Sequence, residues 1–561
     1  TLSSSSAASD VYKRQVYTEQ WIQPALALSL AALLLMRPAA LLVAAPILIL
    51  WLLGPALAWW LSSPRAGSGF TPLPEDLRFL HRLARRNWAF FDHHVGPADN
   101  WLPPDNLQEP PFANIAHRTS PTNIGMAVLA HLAAYDFGYL SSGRLLERLA
   151  RMFDTLDHLE RYKGHFYNWY DTQALKPLPP LYVSAVDSGN LAALLLTLRP
   201  GLLALADVPV PAHRLTQGLL DTFDILREAF TNAGRDSRDV QALQQQVLQA
   251  HEHPDQPLPR LLTVLAERLQ DLIDQCAPEP ADALQGDDCL FWLHALRGQC
   301  EDLGSELQGL QLPPDSEVAV PAASSWRQLA QLQPGQWPPA ERAAVTAVRA
   351  LACQRIAQAQ SLALRLAALA SMDFTFLYDS QRDLFAIGYN VDEHRLDTSF
   401  YDLLASEMRL TNFVVIAQGQ VPQASWFALG RLLTSNAGVP VLLSWSGSMF
   451  EYLMPLLVMP SYEGTLLDQT CQAAVNRQIE HGNLLGIPWG VSESAYNALD
   501  THFNYQYRAF GVPGLGLKRG LGEERVVAPY ASTLALLVAP NAACHNLQRL
   551  ARLGPVSYTH L

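Results

Sequence analysis

The sequence predicts an all-α protein, a helical toroid carrying a helical insertion, preceded by one or two transmembrane helices. Three observations predict it. Residues 39–61 (AALLVAAPILILWLLGPALAWWL) form an uncharged apolar run. From Pro74 onwards, apolar residues recur at helical spacing. The segments between these helices are short and rich in Gly, Pro and aromatic residues, and no run of alternating strands typical of a β-sandwich appears.

Each element follows from its local pattern. Residues 1–16 (TLSSSSAASDVYKRQV) and 555–561 (PVSYTHL) lack amphipathic order and read as non-native ends of a longer chain. Residues 17–63 read as a transmembrane hairpin. The 39–61 run is long enough to cross a hydrocarbon core of about 30 Å, while 21–36 is apolar but shorter. Arg37-Pro38 separates the two, and Trp59 and Trp60 stand where an interfacial belt belongs. A signal peptide fits poorly, since there are two runs and the second is too long. Arg65, Arg78, Arg82, Arg85 and Arg86 follow closely, which assigns that side to the cytoplasm.

Residues 70–206 then carry helical patterns at 77–95, 124–140, 143–161 and 187–205. Residues 207–370 change character, being rich in Leu, Gln, Ala, Arg and Asp and poor in aromatics. They read as a helical insertion with proline-containing breaks at 254–259, 278–280, 313–314 and 334–339. Residues 371–554 return to the first style, with helical patterns at 399–418, 423–434 and 466–483. Loops gathered at one end of such a scaffold are where function concentrates.

Composition narrows the chemistry. A net charge of −13 argues against nucleic acid as partner, because phosphate binding needs a basic stripe. The 13 Trp, 18 Tyr and 20 Phe suit a neutral sugar ligand, although a large helical core uses aromatics equally well. The six cysteines include no CxxC pair and no cluster with zinc spacing, so they read as buried apolar residues of a reducing compartment, with no metal and no cofactor. No GxSxG elbow, HExxH or phosphate-binding loop is present.

Carboxylic acids in aromatic loops remain. Glycoside chemistry needs two of them flanking one bond, at any separation in sequence. Glu493 lies in Pro488-Trp489-Gly490-Val491-Ser492-Glu493, a pocket-wall composition; the alternative is a helix start capped by Ser492. Glu407 lies in Ser406-Glu407-Met408-Arg409; the alternative is an internal ion pair with Arg409 or Arg431. Glu451, Asp171 and Asp187 sit in similar loops and are expected to hold sugar hydroxyls, with structural roles as the alternative. Trp169, Tyr170, Trp445, Tyr452 and Trp489 are expected to line the sugar site. If two of these acids act together, they should face each other across a large pocket.

The segments HRTSPTNIGM, GHFYNWYDT, LYVSAVDSGNLA, FLYDSQRDLFAIGYN, DTSFYDLLASEMRL, GSMFEYLMP and PWGVSESAYN together resemble the glucoamylase-like middle domain of bacterial cyclic β-1,2-glucan synthases, the group classed as glycoside hydrolase family 189 and distantly related to β-1,2-glucanases. The resemblance runs from about 75 to 545 and is weakest across 207–370. It implies an (α/α)6 toroid and a retaining transglycosylase that closes linear β-1,2-glucan into rings. Glu493 would be nucleophile and Glu407 acid/base, about 5–5.5 Å apart if the pair acts directly. It also implies an upstream membrane glycosyltransferase, whose last spans would be the hairpin here, and a downstream phosphorylase-type domain. The partners are then linear β-1,2-glucan, the lipid bilayer of the bacterial inner membrane and those two domains. Hydrolysis of the same polymer, or a non-catalytic glucan-binding scaffold, are the rival readings.

Overall fold

A computed structural model describes residues 21–62, 72–108, 114–209, 212–253, 258–276, 287–310, 324–436, 438–501 and 505–553. The expected non-native ends and most of the proline-containing breaks in the insertion fall outside the described residues. The chain divides into two units, Thr1–Thr71 and Pro72–Leu561.

The first unit holds helices Ile22–Leu34 and Pro38–Ser62. Pro38 starts the second helix where its missing N–H costs nothing. Its Pro38–Leu57 stretch, with mean hydropathy 2.4, is long and apolar enough to cross a membrane by length and composition. The 13-residue helix Ile22–Leu34 spans only about 20 Å, short of a bilayer core. By this criterion the expected one or two spans become one.

The second unit is mostly helical but not all-α. Seven two- or three-stranded antiparallel sheets occupy the aromatic loops of the described residues. The helix expected over 399–418 begins only at Met408, because Phe400–Tyr401 pairs with Leu384–Ala386. That expected over 423–434 shrinks to Ala424–Ala428, because Leu433–Asn436 pairs with Val439–Leu442. Strand Tyr182–Ser184 pairs with Gly388–Asn390, joining the loops on either side of the insertion.

Two large hydrophobic clusters support the unit, beside a small one of Trp88, Ala134, Tyr139 and Leu140. One is built from residues of 95–205 and 359–543, the other from residues of 215–352 together with Ala89. Helix Arg342–Leu369 serves both, with Val348 and Ala352 in the second cluster and Ala359, Leu362 and Leu366 in the first. The stretch read as an insertion therefore has a core of its own. It is also fastened by polar bonds. Glu306 on helix Asp288–Gln308 accepts from the Ser142 and Gly143 N–H groups (3.1 and 2.6 Å), and Asp302 from that of Ser141 (2.9 Å). These are the free donors that open helix Ser142–His158, where a carboxylate also meets the positive end of the dipole. Arg82 and Arg86 pair with Glu228, and buried Arg85 donates to Thr222 (2.8 Å). The basic run that pointed to a cytoplasmic membrane flank thus has packing partners of its own.

Helix Ala185–Ala204 is the central element. It packs against Pro121–Asp136, Arg342–Leu369 and Met408–Ala417. Its contact with Met408–Ala417 is close because residue 189 is glycine; a Cβ there would stand 1.9 Å from Thr411 Oγ1 and 2.4 Å from its Cβ. Gly189→Ala should therefore push the two helices apart and destabilise the fold by roughly 1–3 kcal/mol. Urea unfolding checks this; an unchanged midpoint would mean that the helices slide without cost.

Candidate active site

That helix crossing brings two sequence-distant acids into one neighbourhood. Ser184 caps helix Ala185–Ala204, its Oγ accepting from Asp187 N (3.3 Å), so Asp187 and Asn190 share one face three residues apart. Glu407 is the N-cap of helix Met408–Ala417. Asn190 Nδ2 donates to Glu407 Oε2 (2.9 Å) and to Thr122 Oγ1 (3.3 Å), and Thr122 donates to Asp187 Oδ1 (2.6 Å). With the Asn168 amide turned to the orientation that satisfies both its groups, its nitrogen donates to the second Asp187 oxygen (3.1 Å) and its oxygen accepts from Trp169 Nε1 (3.2 Å). Burial, reinforced by the Asp187 charge, pushes the Glu407 carboxyl up to about 8; the Asn190 amide opposes this, and Glu493 and Glu451 add to it.

Glu493 reaches the same neighbourhood from a different element. It opens strand Glu493–Leu499, which pairs with Tyr505–Ala509 and places Glu493 opposite Ala509. The helix start considered for Ser492-Glu493 is therefore not what forms. Ser492 instead accepts from Phe450 N (3.0 Å) and bonds Tyr530 (2.8 Å), whose hydroxyl donates to the Glu493 carbonyl (2.9 Å). Tyr507 donates to Glu493 Oε2 (2.9 Å). Burial raises the Glu493 carboxyl, while Tyr507, Ser448 and Lys518 favour its ionised form and Glu451 disfavours it. Burial and the Glu493 charge together raise the Tyr507 hydroxyl, which keeps it a donor.

The ion pairs considered for Glu407 do not form. Arg409 is buried and donates to the carbonyls of Ser406 (3.0 Å), Glu451 (2.8 Å) and Tyr452, stapling the Glu407 turn to helix Met449–Leu453. Arg431 likewise donates to the Trp426, Phe427 and Leu429 carbonyls.

Several expected sugar ligands have other work. Glu451 is buried in a capping box with Ser448, and its Oε2 also accepts from the Ser444 hydroxyl (2.9 Å) and the Ser446 N–H (3.1 Å). Its carboxylate is a caged neighbour to the pair rather than a free acceptor. Asp171 Oδ1 closes a turn by accepting from Gln173 N (2.9 Å) and Ala174 N (2.7 Å). Asp187 has both oxygens engaged, as described. Tyr170 (0% exposed), Tyr452 (1%) and Trp489 (5%) are core residues. Tyr452 donates to the Leu442 and Leu515 carbonyls and Tyr170 to that of Glu160, so none of the three presents a face to a ligand. Trp445, at 63% exposed, and half-buried Trp169, stacked under Arg118 at 4.8 Å, remain available.

A cavity of about 860 Å³ lies elsewhere, on the seam between helices Ser142–His158, Asp288–Gln308 and Arg342–Leu369, and neither glutamate touches it. Both glutamates keep partial exposure beside Tyr507, which is 66% exposed. Asn190, Thr122, Tyr507 and Tyr530 were not foreseen as parts of the site. No group of three or more potential metal ligands occurs among the described residues, and all six cysteines are free.

A family model described as "Putative glucoamylase" matches residues 399–561. The chain is 37% identical over 557 residues to the cyclic beta-(1,2)-glucan synthase NdvB of Rhizobium meliloti (strain 1021). That match covers 96% of this chain and 18% of the relative's length, so the resemblance seen in the motifs extends over nearly the whole chain. Among solved structures, an endo-beta-1,2-glucanase from Chitinophaga pinensis gives a TM-score of 0.46 at 11% identity, covering 86% of this chain and 84% of that one. A "putative glucoamylase" from Bacteroides fragilis NCTC 9343 gives 0.45 at 12%, covering 88% and 84%.

The raised Glu407 carboxyl has a consequence for stability. The folded protein retains a proton that the unfolded chain releases above its ordinary carboxylate range, so stability is withdrawn as pH rises towards 8. Glu407→Gln should accordingly stabilise the protein by roughly 1–3 kcal/mol at pH 8. The gain should fade towards pH 5, read as the difference in melting temperature across that range. A pH-independent difference would place Glu407 in ordinary solvent.

Proposed function

We propose that this chain is the ring-closing part of a cyclic β-1,2-glucan synthase: a retaining transglycosylase acting on linear β-1,2-glucan. The observation that carries the reading is two neighbouring carboxyls, both raised by burial but differently supported. Glu407, beside Asp187 and pushed up to about 8, holds a proton near neutral pH. Glu493, with Tyr507, Ser448 and Lys518 favouring its charged form, is the better nucleophile. Environments that separate two acids in this way assign the acid and the base.

The chemistry follows in two displacements. The Glu493 carboxylate attacks the anomeric carbon while Glu407 gives its proton to the departing glycosidic oxygen. The leaving chain departs, and a glucosyl ester on Glu493 remains. Glu407, now ionised, takes the proton from the 2-hydroxyl of the same chain's non-reducing end. That oxygen displaces Glu493, and the β configuration is restored through two inversions. One β-1,2 bond breaks and one forms, with no water consumed. Trp169 and Trp445 are the aromatic faces proposed to hold sugar rings.

In the same reading the helices flanking the insertion build an (α/α)6 toroid. Pro38–Ser62 anchors the chain in the bacterial inner membrane with the body on the cytoplasmic side, next to the glycosyltransferase and phosphorylase-type domains of the full synthase. The partial exposure that both glutamates retain favours a second reading, β-1,2-glucan hydrolysis. Incubation with linear β-1,2-glucan separates the two. Ring closure yields products resistant to exo-glucosidase, and hydrolysis yields new reducing ends. Glu407→Gln and Glu493→Gln should each lower turnover by at least about 10²-fold; full activity in either would leave only a binding scaffold.

A further inference from the structure

Asp187, Thr122 and Asn190 form a chain of hydrogen bonds whose direction is set at one end. A carboxylate accepts and does not donate, so the Thr122 hydroxyl must point its hydrogen at Asp187 Oδ1, over a short 2.6 Å bond. The Thr122 oxygen is then left as an acceptor, which turns the Asn190 amide so that its NH2 group faces Thr122 (3.3 Å) and Glu407 Oε2 (2.9 Å). Asn190 is 1% exposed, and its Oδ1 has no hydrogen-bond partner among the described residues. A buried amide oxygen without a partner is unfavourable, so the orientation is held by the bonds on the nitrogen side. The C=O oxygen of a carboxylic acid is its stronger acceptor, so with Oε2 accepting from Asn190 the proton of Glu407 is favoured on Oε1.

We propose that Asp187, Thr122 and Asn190 are positioning residues that fix which oxygen of Glu407 carries the transferable proton and hold it towards the bond being broken. The proposal rests on the reading of Glu407 as acid/base. The groups around Glu407 are Asp187 on helix Ala185–Ala204, Glu451 on helix Met449–Leu453, Glu493 on its strand, and the hydroxyls of Tyr401, Tyr507 and Tyr530, each of which feels the Glu407 charge. Of these carboxylates, Asp187 acts on Glu407 most strongly. Its loss should therefore make the proton easier to remove.

The test compares pH–rate profiles on linear β-1,2-glucan for the wild-type chain and for Thr122→Val, Thr122→Ser, Asp187→Asn and Glu407→Gln. Thr122→Val deletes the hydroxyl at constant volume and should lower kcat about ten- to a hundredfold with KM within about twofold, the signature of lost alignment. Thr122→Ser should restore most of the rate. Asp187→Asn keeps an acceptor for Thr122 but removes the charge, and should move the basic limb of kcat/KM down by roughly one pH unit. If Glu407→Gln is inactive while Thr122→Val and Asp187→Asn keep the wild-type rate and profile, the relay is wrong and the acid/base reading stands. If Glu407→Gln is active, the acid/base reading itself fails. A Thr122→Val that does not fold leaves the Thr122→Ser and Asp187→Asn profiles to decide.

Discussion

The site depends on one close approach between two helices. Gly189 lets helix Ala185–Ala204 settle against Thr411 at a distance no side chain permits. Asn190 follows directly after that glycine, and Glu407 stands one turn before Thr411. The 2.9 Å side-chain bond between Asn190 and Glu407 therefore depends on how closely the two helices pack. A helix contact this close is stiff, because cores are close-packed and do not deform gradually. The same helix begins at strand Tyr182–Ser184, whose pairing with Gly388–Asn390 ties it to the loop that leads into Glu407.

A second requirement is the management of negative charge. Asp187, Glu407, Glu451 and Glu493 lie near enough to influence one another. Each has a different solution. Serine hydroxyls and N–H groups hold Glu451, Thr122 and Asn168 hold Asp187, Tyr507 supports Glu493, and Glu407 is left with a single amide. The least supported carboxyl is the one driven towards its neutral form, as desolvation and like charges dictate. Arg409, close by in sequence, does not relieve it, because three backbone carbonyls occupy its guanidinium.

Much of this was legible in the residues. The helical stretches flanking Asp187 and across 207–370 announced themselves by period, and the insertion's separate core matches its change of composition. The two glutamates proposed as the pair came from the resemblance together with their motif context. The strands were hidden because two or three paired residues leave no alternating pattern. Tyr170, Tyr452 and Trp489 were misjudged because an aromatic beside an acid looks the same in sequence whether it faces the core or a ligand. Glu451 is caged for a similar reason, as a Ser-rich context satisfies a carboxylate as readily as it frames a ligand, and a turn engages one oxygen of Asp171. Asn190 had a readable signal, its i,i+3 spacing from Asp187 on a capped helix. Tyr507 had none, because only strand pairing brings it to Glu493.

The account rests on a division of labour between Glu493 and Glu407, and one measurement reaches it directly. The Glu407→Gln variant is mixed with the β-glycosyl fluoride of two β-1,2-linked glucoses, whose leaving group needs no acid. Glycosylation should then proceed while release, lacking its base, stalls. Peptide mass spectrometry should find the disaccharide's mass added to the peptide that contains Glu493. An adduct on another carboxylate, or fluoride release with no adduct and inverted product, would contradict the assignment.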